Sequence, residues 1–158
     1  MPLSISVAQA VAEASTELAA FDACLLQSGI GNVNLLYLSS VIPPGSIIRR
    51  GPAVLDCAEW GDRLYCVMAQ SRTSSVGHEV WAGLGWVQAN DSRGGLFAEA
   101  MGSSESEVRL QLTETLQDMI ASRGGEWEPI ELAVIGATCS GRPVCALVAA
   151  TYQAEGWT

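Results

Sequence analysis

Two adjacent serines, Ser39 and Ser40, stand where an apolar run ends and the break Val41-Ile42-Pro43-Pro44-Gly45 begins. A serine hydroxyl becomes a nucleophile when a carbonyl is held within its reach. Two prolines and a glycine just downstream force the chain out of any regular ladder. Asn32 and Asn34 precede Leu35-Leu36-Tyr37-Leu38, and polar groups bordering such a run must hydrogen-bond or stay wet. By residue type alone, this stretch reads either as a strand end closed by asparagine and serine turns or as a reaction centre. Other chemistries have less to work with. The single histidine, His78, lies between Gly77 and Glu79 beside a polar loop and reads as a solvated loop residue. One histidine cannot build a multi-histidine metal site. No Gly-x-Gly-x-x-Gly follows a strand to open a helix, and the chain contains no lysine. A lysine-anchored pyridoxal phosphate is therefore excluded.

The elements that must position these residues follow from spacing. Residues 3–8 alternate as a strand. Ser15-Thr16-Glu17 opens a helix carrying Leu18, Phe21, Asp22, Leu25 and Leu26 at helical intervals, and Ser28-Gly29-Ile30-Gly31 ends it. Residues 32–38 read as a short buried strand. Strands are also expected over 63–69, 79–87 and 95–100, the last two forming an antiparallel hairpin through Asn90-Asp91-Ser92-Arg93-Gly94. The polar segment 70–77 reads as a mobile loop. Ser104-Glu105-Ser106-Glu107 is a capping box, followed by the stripe Val108, Leu112, Leu116, Met119 and Ile120 and a stop at Gly124-Gly125. Strands over 131–135 and 144–152, joined by a turn at 140–143, close the chain. The order predicts a layered α+β domain with mostly antiparallel sheets and helices outside.

Composition narrows the function classes. The 158 residues fit one domain spanning 1–158. Charged residues are 16% and apolar residues 49%, with a formal charge of −9. The mean hydropathy is +0.25 and the pI is about 4.4. Disorder is excluded, and scattered arginines, adjacent only at Arg49-Arg50, argue against a nucleic-acid partner. No apolar stretch reaches the roughly 18 residues of a membrane span. The N-terminus lacks the basic region and apolar core of a signal peptide. The five cysteines (Cys24, Cys57, Cys66, Cys139, Cys145) are odd in number and contain no Cys-x-x-Cys, so buried free thiols in a reducing cytoplasm are expected. Subunit contacts offer one way for so apolar a chain to stay soluble.

Three blocks carry a resemblance. Leu18 to Leu26 with its Phe21-Asp22, then Gly29-Ile30-Gly31-Asn32-Val33-Asn34-Leu35, then Ser39-Ser40-Val41-Ile42-Pro43-Pro44, follow one another in fixed register. Together they resemble the signature of the pyruvoyl-dependent arginine decarboxylases. Gly95-Leu96-Phe97-Ala98-Glu99-Ala100-Met101-Gly102 resembles that family's second block. Two features depart from the family pattern: 71–77 is rich in serine without the usual proline, and Trp86 occupies a strand generally filled by smaller residues.

The resemblance implies an α/β/β/α sandwich and a self-processing enzyme. The Ser40 hydroxyl would attack the Ser39 carbonyl, and elimination would cut the chain into 1–39 and 40–158. The new end at Ser40 would become a pyruvoyl group, a cofactor made without pyridoxal phosphate or metal. Its ketone would form a Schiff base with L-arginine and release carbon dioxide and agmatine. By the same resemblance Asn34 assists cleavage and lines the site, and Glu99 returns a proton to the α-carbon. Burial in an apolar strand would keep Glu99 protonated, although without the resemblance it could equally be a strand-edge carboxylate facing water. Asp22 would meet the substrate guanidinium, with Leu18 and Leu25 flanking the aliphatic chain and Ser39 nearby. Asp22 is expected on the apolar face of the first helix, where an unpaired carboxylate is costly and a cation relieves it. The site would form between protomers of a homotrimer, or of a hexamer of paired trimers, in the cytoplasm. Decarboxylation of lysine or ornithine, and a trimeric scaffold that never matures, are the alternatives.

Overall fold

A computed structural model of the chain describes residues 2–55 and 60–158. Strand β1 (Ser4–Glu13) leads into helix α1 (Glu17–Gln27), then β2 (Asn34–Tyr37), β3 (Val41–Ile42) and β4 (Ile47–Arg50). Next come β5 (Arg63–Thr73), β6 (Glu79–Gln88), β7 (Gly95–Gly102), helix α2 (Glu105–Arg123), β8 (Glu131–Thr138) and β9 (Val144–Glu155). The strands form a five-stranded sheet ordered β2-β5-β9-β1-β4 and a four-stranded sheet ordered β3-β7-β6-β8. Only β1–β4 and β2–β5 pair in parallel among the described strands. Helix α1 covers the outer face of the first sheet and α2 that of the second, giving the layered α+β domain that the element order predicts and the α/β/β/α sandwich that the resemblance implies.

Alternation along single strands builds the layers. On β6, Val80, Ala82, Leu84 and Trp86 enter the core between the sheets, while Trp81 and Val87 turn toward α2. On β9, Val144, Ala146, Val148 and Ala150 point between the sheets, and Cys145, Leu147 and Ala149 point toward α1. Residues from Val144 to Thr151 are buried without a break. A sheet covered on both faces requires such continuous apolar runs, so much of the high hydropathy is spent inside one protomer. The glycines flanking Leu84 have a defined role here. A Cβ on Gly83 would sit 2.9 Å from Leu112 and Val108, and one on Gly85 would sit 2.8 Å from Leu116. Their bareness lets α2 approach β6 closely. It also leaves the opposite face to Trp86, 3% exposed, whose ring packs 6.0 Å from Phe97.

Three expectations need correcting. Residues 32–38, read as a short buried strand, give β2, whose Asn34, Leu36 and Tyr37 are exposed. The turn at 140–143 does join residues 131–138 to 144–155, and it crosses the core because β8 lies in the four-stranded sheet and β9 in the other. Their apolar pattern gave no indication of which sheet each would join. The segment expected as a loop from residue 70 instead continues β5 to Thr73, held by pairing with β9 up to Val144. The segment 71–77 is thus part strand, and only its last residues turn. The capping box is also modified. Ser104 Oγ accepts from Glu107 N–H at 3.2 Å, but the Glu107 carboxylate reaches past Ser104 to the Ser103 N–H at 3.1 Å. Cys24, Cys66, Cys139 and Cys145 are free and buried; Cys57 lies outside the described residues. Among the described residues no helix is long and apolar enough to cross a membrane.

Candidate active site

Ser39 and Ser40 form one of the links between the two sheets. The Leu38 N–H donates to the Cys66 carbonyl at 2.9 Å, ending the ladder of the five-stranded sheet. Two residues later the Phe97 N–H donates to the Ser40 carbonyl at 2.8 Å, and Val41 and Ile42 then pair with Leu96 and Gly95. The chain changes sheets within this interval, and Ser40 takes a φ of +99°. A side chain disfavours that region, at a cost on the order of 1–3 kcal/mol that surrounding structure must impose. Both flanking strand pairings impose it. Downstream, the Ser46 hydroxyl donates to the Pro43 carbonyl at 2.7 Å and closes the proline turn.

Beside this link opens a cleft of about 430 Å³, lined by Tyr37, Leu38, Met68, Gln70, Glu99 and Gln111 among others. Ala98 and Ala100 pack beneath α2, so the alternating Glu99 side chain points to the seam between the sheets. It reaches solvent at the rim, yet burial of part of the carboxyl pushes its pKa above the ordinary carboxylate value. Two nearby groups are raised as well. Burial first and then the Glu99 charge push the Cys66 thiol up to about 12. Burial also raises the Tyr37 phenol, helped by Cys66 and Glu99 and opposed by Arg72. The Tyr37 hydroxyl donates to the Met68 sulfur at 3.7 Å, a weak acceptor that leaves the phenol available to the cleft. Tyr37, Met68 and Gln111 went unnoticed in the sequence. Nothing there separates them from ordinary strand and helix residues.

The other expected site residues lie elsewhere. Asn34 begins β2, about 10 Å of strand away from Tyr37. Its side-chain amide donates to the Gly61 carbonyl at 2.7 Å, and it is absent from the cleft lining. On α1 the buried face consists of Ala20, Cys24 and Leu25. Asp22 is exposed, which corrects its expected place on the buried apolar face. It shares an outward stripe with Leu18 and Leu26, 66% and 54% exposed, at four-residue spacing. Leu25, 8% exposed, lies under the helix rather than beside Asp22. The helix is apolar on nearly every side, so its sequence did not reveal which face would be buried. One protomer therefore sets Ser40 on the strand that carries Glu99, though neither Ser39 nor Ser40 is among the residues lining the Glu99 cleft, and leaves the Asp22 stripe on a separate surface. Around the cleft Tyr37, Val41 and Met101 are also exposed, at 65%, 60% and 60%.

Comparison with known proteins agrees with the residue signature. The family model for pyruvoyl-dependent arginine decarboxylase matches residues 4–156. The chain is 35% identical to the pyruvoyl-dependent arginine decarboxylase of Thermococcus sibiricus, covering 89% of this chain and 88% of that protein. It is 33% identical to the protein of the same name from Thermococcus kodakarensis, with 92% of each chain covered. A Halobacterium salinarum relative, again with that name, is 31% identical over 94% of this chain and 92% of its own. With the matched stretch running from β1 to just past the end of β9, this chain belongs to the pyruvoyl-dependent arginine decarboxylase family.

Proposed function

We propose that this chain cleaves itself between Ser39 and Ser40 and decarboxylates L-arginine to agmatine. The observation that carries the reading is the strained Ser40, held at φ +99° between two sheets with Glu99 two residues beyond its hydrogen-bond partner Phe97. The residues fit a pyruvoyl group formed in place. Ser40 supplies all its carbons, its carbonyl is already fixed, and the cleft beside it is part apolar.

In processing, the Ser40 hydroxyl oxygen bonds to the Ser39 carbonyl carbon as the Ser39–Ser40 C–N bond breaks, giving an ester and a free amine. Loss of the Ser40 α-proton to water then expels the Ser39 carboxylate from the β-carbon and separates residues 1–39. Reprotonation and one water molecule release ammonia and leave the ketone. Strain at Ser40 favours the first step because the bond that relieves it is the one that breaks.

When formed, the pyruvoyl group supplies an electrophilic ketone for the substrate amine and a sink for the electrons left by carbon dioxide. The chain's own residues do the rest. Glu99, whose pKa partial burial raises, is the acid that passes a proton to the substrate α-carbon. Leu38 and Met68 supply apolar surface on one wall, beside the exposed Tyr37. Asp22 binds the guanidinium through paired charge-assisted hydrogen bonds, with Leu18 along the methylene chain. Because these two lie on a surface apart from the cleft, a second copy delivers them, as in a homotrimer with sites between protomers. Asn34, remote from Ser40 within its own chain, reaches a neighbour's cleft in the same way.

Intact-mass analysis after incubation tests this reading. Two fragments, 1–39 and a pyruvoyl-blocked 40–158, together with carbon dioxide release from arginine in preference to lysine or ornithine, are expected. A chain that stays whole over a range of pH and temperature leaves only a ligand-binding scaffold.

A further inference from the structure

In both halves of this chemistry, charge develops on the same atom. Removing the Ser40 α-proton places an electron pair next to the Ser40 carbonyl, and that pair delocalises onto its oxygen before the Ser39 carboxylate leaves. When carbon dioxide departs from the captured substrate, the electron pair left behind delocalises onto that oxygen again. The oxygen already accepts a hydrogen bond of 2.8 Å from the Phe97 N–H. We infer that the Phe97 backbone N–H is a catalytic group that stabilises negative charge on the Ser40 carbonyl oxygen, first in self-cleavage and then in decarboxylation. The inference rests on the proposed function and assigns the charge-stabilising donor for it.

The geometry meets the requirements of such a donor. It must be aimed before charge appears and must not reorganise when it does. Phe97 is 0% exposed, and its ring is packed against Trp86 and Tyr152. Its strand is paired on the other side with β6, Trp86 opposite Phe97. The acceptor is held as firmly. Once the chain is cut residue 40 becomes a terminus, yet Val41 and Ile42 stay paired with Leu96 and Gly95. From the opposite sheet the Tyr152 hydroxyl donates to the Val41 carbonyl at 3.0 Å. The oxygen therefore remains on its donor after cleavage. The same strand presents Glu99 two residues on, so β7 carries both the charge-stabilising donor and the proton source.

Exchange of the Leu96–Phe97 amide for an ester, with 3-phenyllactic acid in place of Phe97, deletes this one N–H and keeps the ring. The same exchange at Ala98 deletes an N–H on the β6 side of the strand and controls for weakening of the sheet. The position-97 ester is expected to slow self-cleavage by about 10²- to 10³-fold, and the position-98 ester to cleave near the wild-type rate. Equal cleavage by the two esters overturns the role of Phe97. If the position-97 ester does not fold, wild-type protein labelled with [¹⁵N]phenylalanine, which occurs twice in the chain, and [1-¹³C]serine answers the same question. Scalar coupling between the Phe97 nitrogen and the residue-40 carbonyl should persist after cleavage, and its loss refutes the inference. A wild-type chain that never cleaves overturns the proposed function itself, a result distinct from either of these.

Discussion

Helices α1 and α2 do the same work on their inner faces and differ on their outer ones. Each buries small and branched side chains against a sheet: Ala20, Cys24 and Leu25 on α1, and Val108, Leu112 and Leu116 on α2. The outward side of α2 is what a helix facing water requires, with Glu105 and Arg109 paired at 3.8 Å and Glu114 and Asp118 beyond, Leu110 being its one large exposed apolar side chain. The outward side of α1 carries Leu18 and Leu26 around a lone Asp22. A carboxylate between two exposed leucines suits a cationic ligand with an aliphatic stem, or a second protein surface, better than it suits water. In the proposed reading α2 is a cover that lends Gln111 to the Glu99 cleft, and α1 is the half of the binding site that a neighbouring copy supplies.

The sharpest break between the two halves comes at Ser40. Ser40→Ala should abolish self-cleavage completely, which intact mass reads directly, while every α1 variant should still cleave. Next in size, Glu99→Gln should leave cleavage intact and lower carbon dioxide release per cleaved chain by about 10²- to 10⁴-fold. Because the Glu99 pKa is raised, wild-type turnover should fall as pH rises through that value. The alkaline fall should be missing from the residual activity of the variant. Asp22→Asn should raise KM for arginine by about 10- to 100-fold, the loss of one charge-assisted pair, with kcat nearly unchanged. At arginine well below the KM of Asp22→Asn, coexpressing it with Glu99→Gln should restore activity above either alone, because mixed assemblies contain sites with both residues intact. No restoration would place the two residues in one chain's site. Leu18→Ser with Leu26→Ser should shift sedimentation toward the monomer, and Leu110→Ser should not. The smallest effect concerns stability. A carboxyl raised by folding contributes below its unfolded pKa and loses that contribution as pH rises through the folded value. The Tm advantage of wild type over Glu99→Gln should therefore shrink from acid toward neutral pH, as thermal melts across that range would record.

Much of the fold was legible because its signals are local. The caps at Thr16 and Ser104, the 90–94 turn and the alternation on β6 each depend on a few neighbouring residues. Sheet membership was not legible: β8 and β9 are both apolar and adjacent in sequence yet join different sheets. The short β3 and β4 escaped notice because prolines surround them and their pairing is wholly non-local. Within the site Ser39-Ser40 and Glu99 stood out through the register they share with one family, since residue type alone left a strand-end turn and a strand-edge carboxylate open. Tyr37 became visible only when the chain folded back beside Glu99.

The sequence by itself determined the chemistry available: a serine pair before a proline turn, no lysine to hold a carbonyl cofactor, and a register shared with one family. Those properties reside in residue types and short spacings, which folding does not alter. The tertiary structure decided which groups meet. It bent Ser40 to φ +99° between two sheets, set its carbonyl on Phe97 and turned Glu99 into the seam. It also turned Asp22 outward. Each outcome depends on which strands pair and which helix face finds a core. Those contacts join residues far apart in the chain, so no local pattern could specify them.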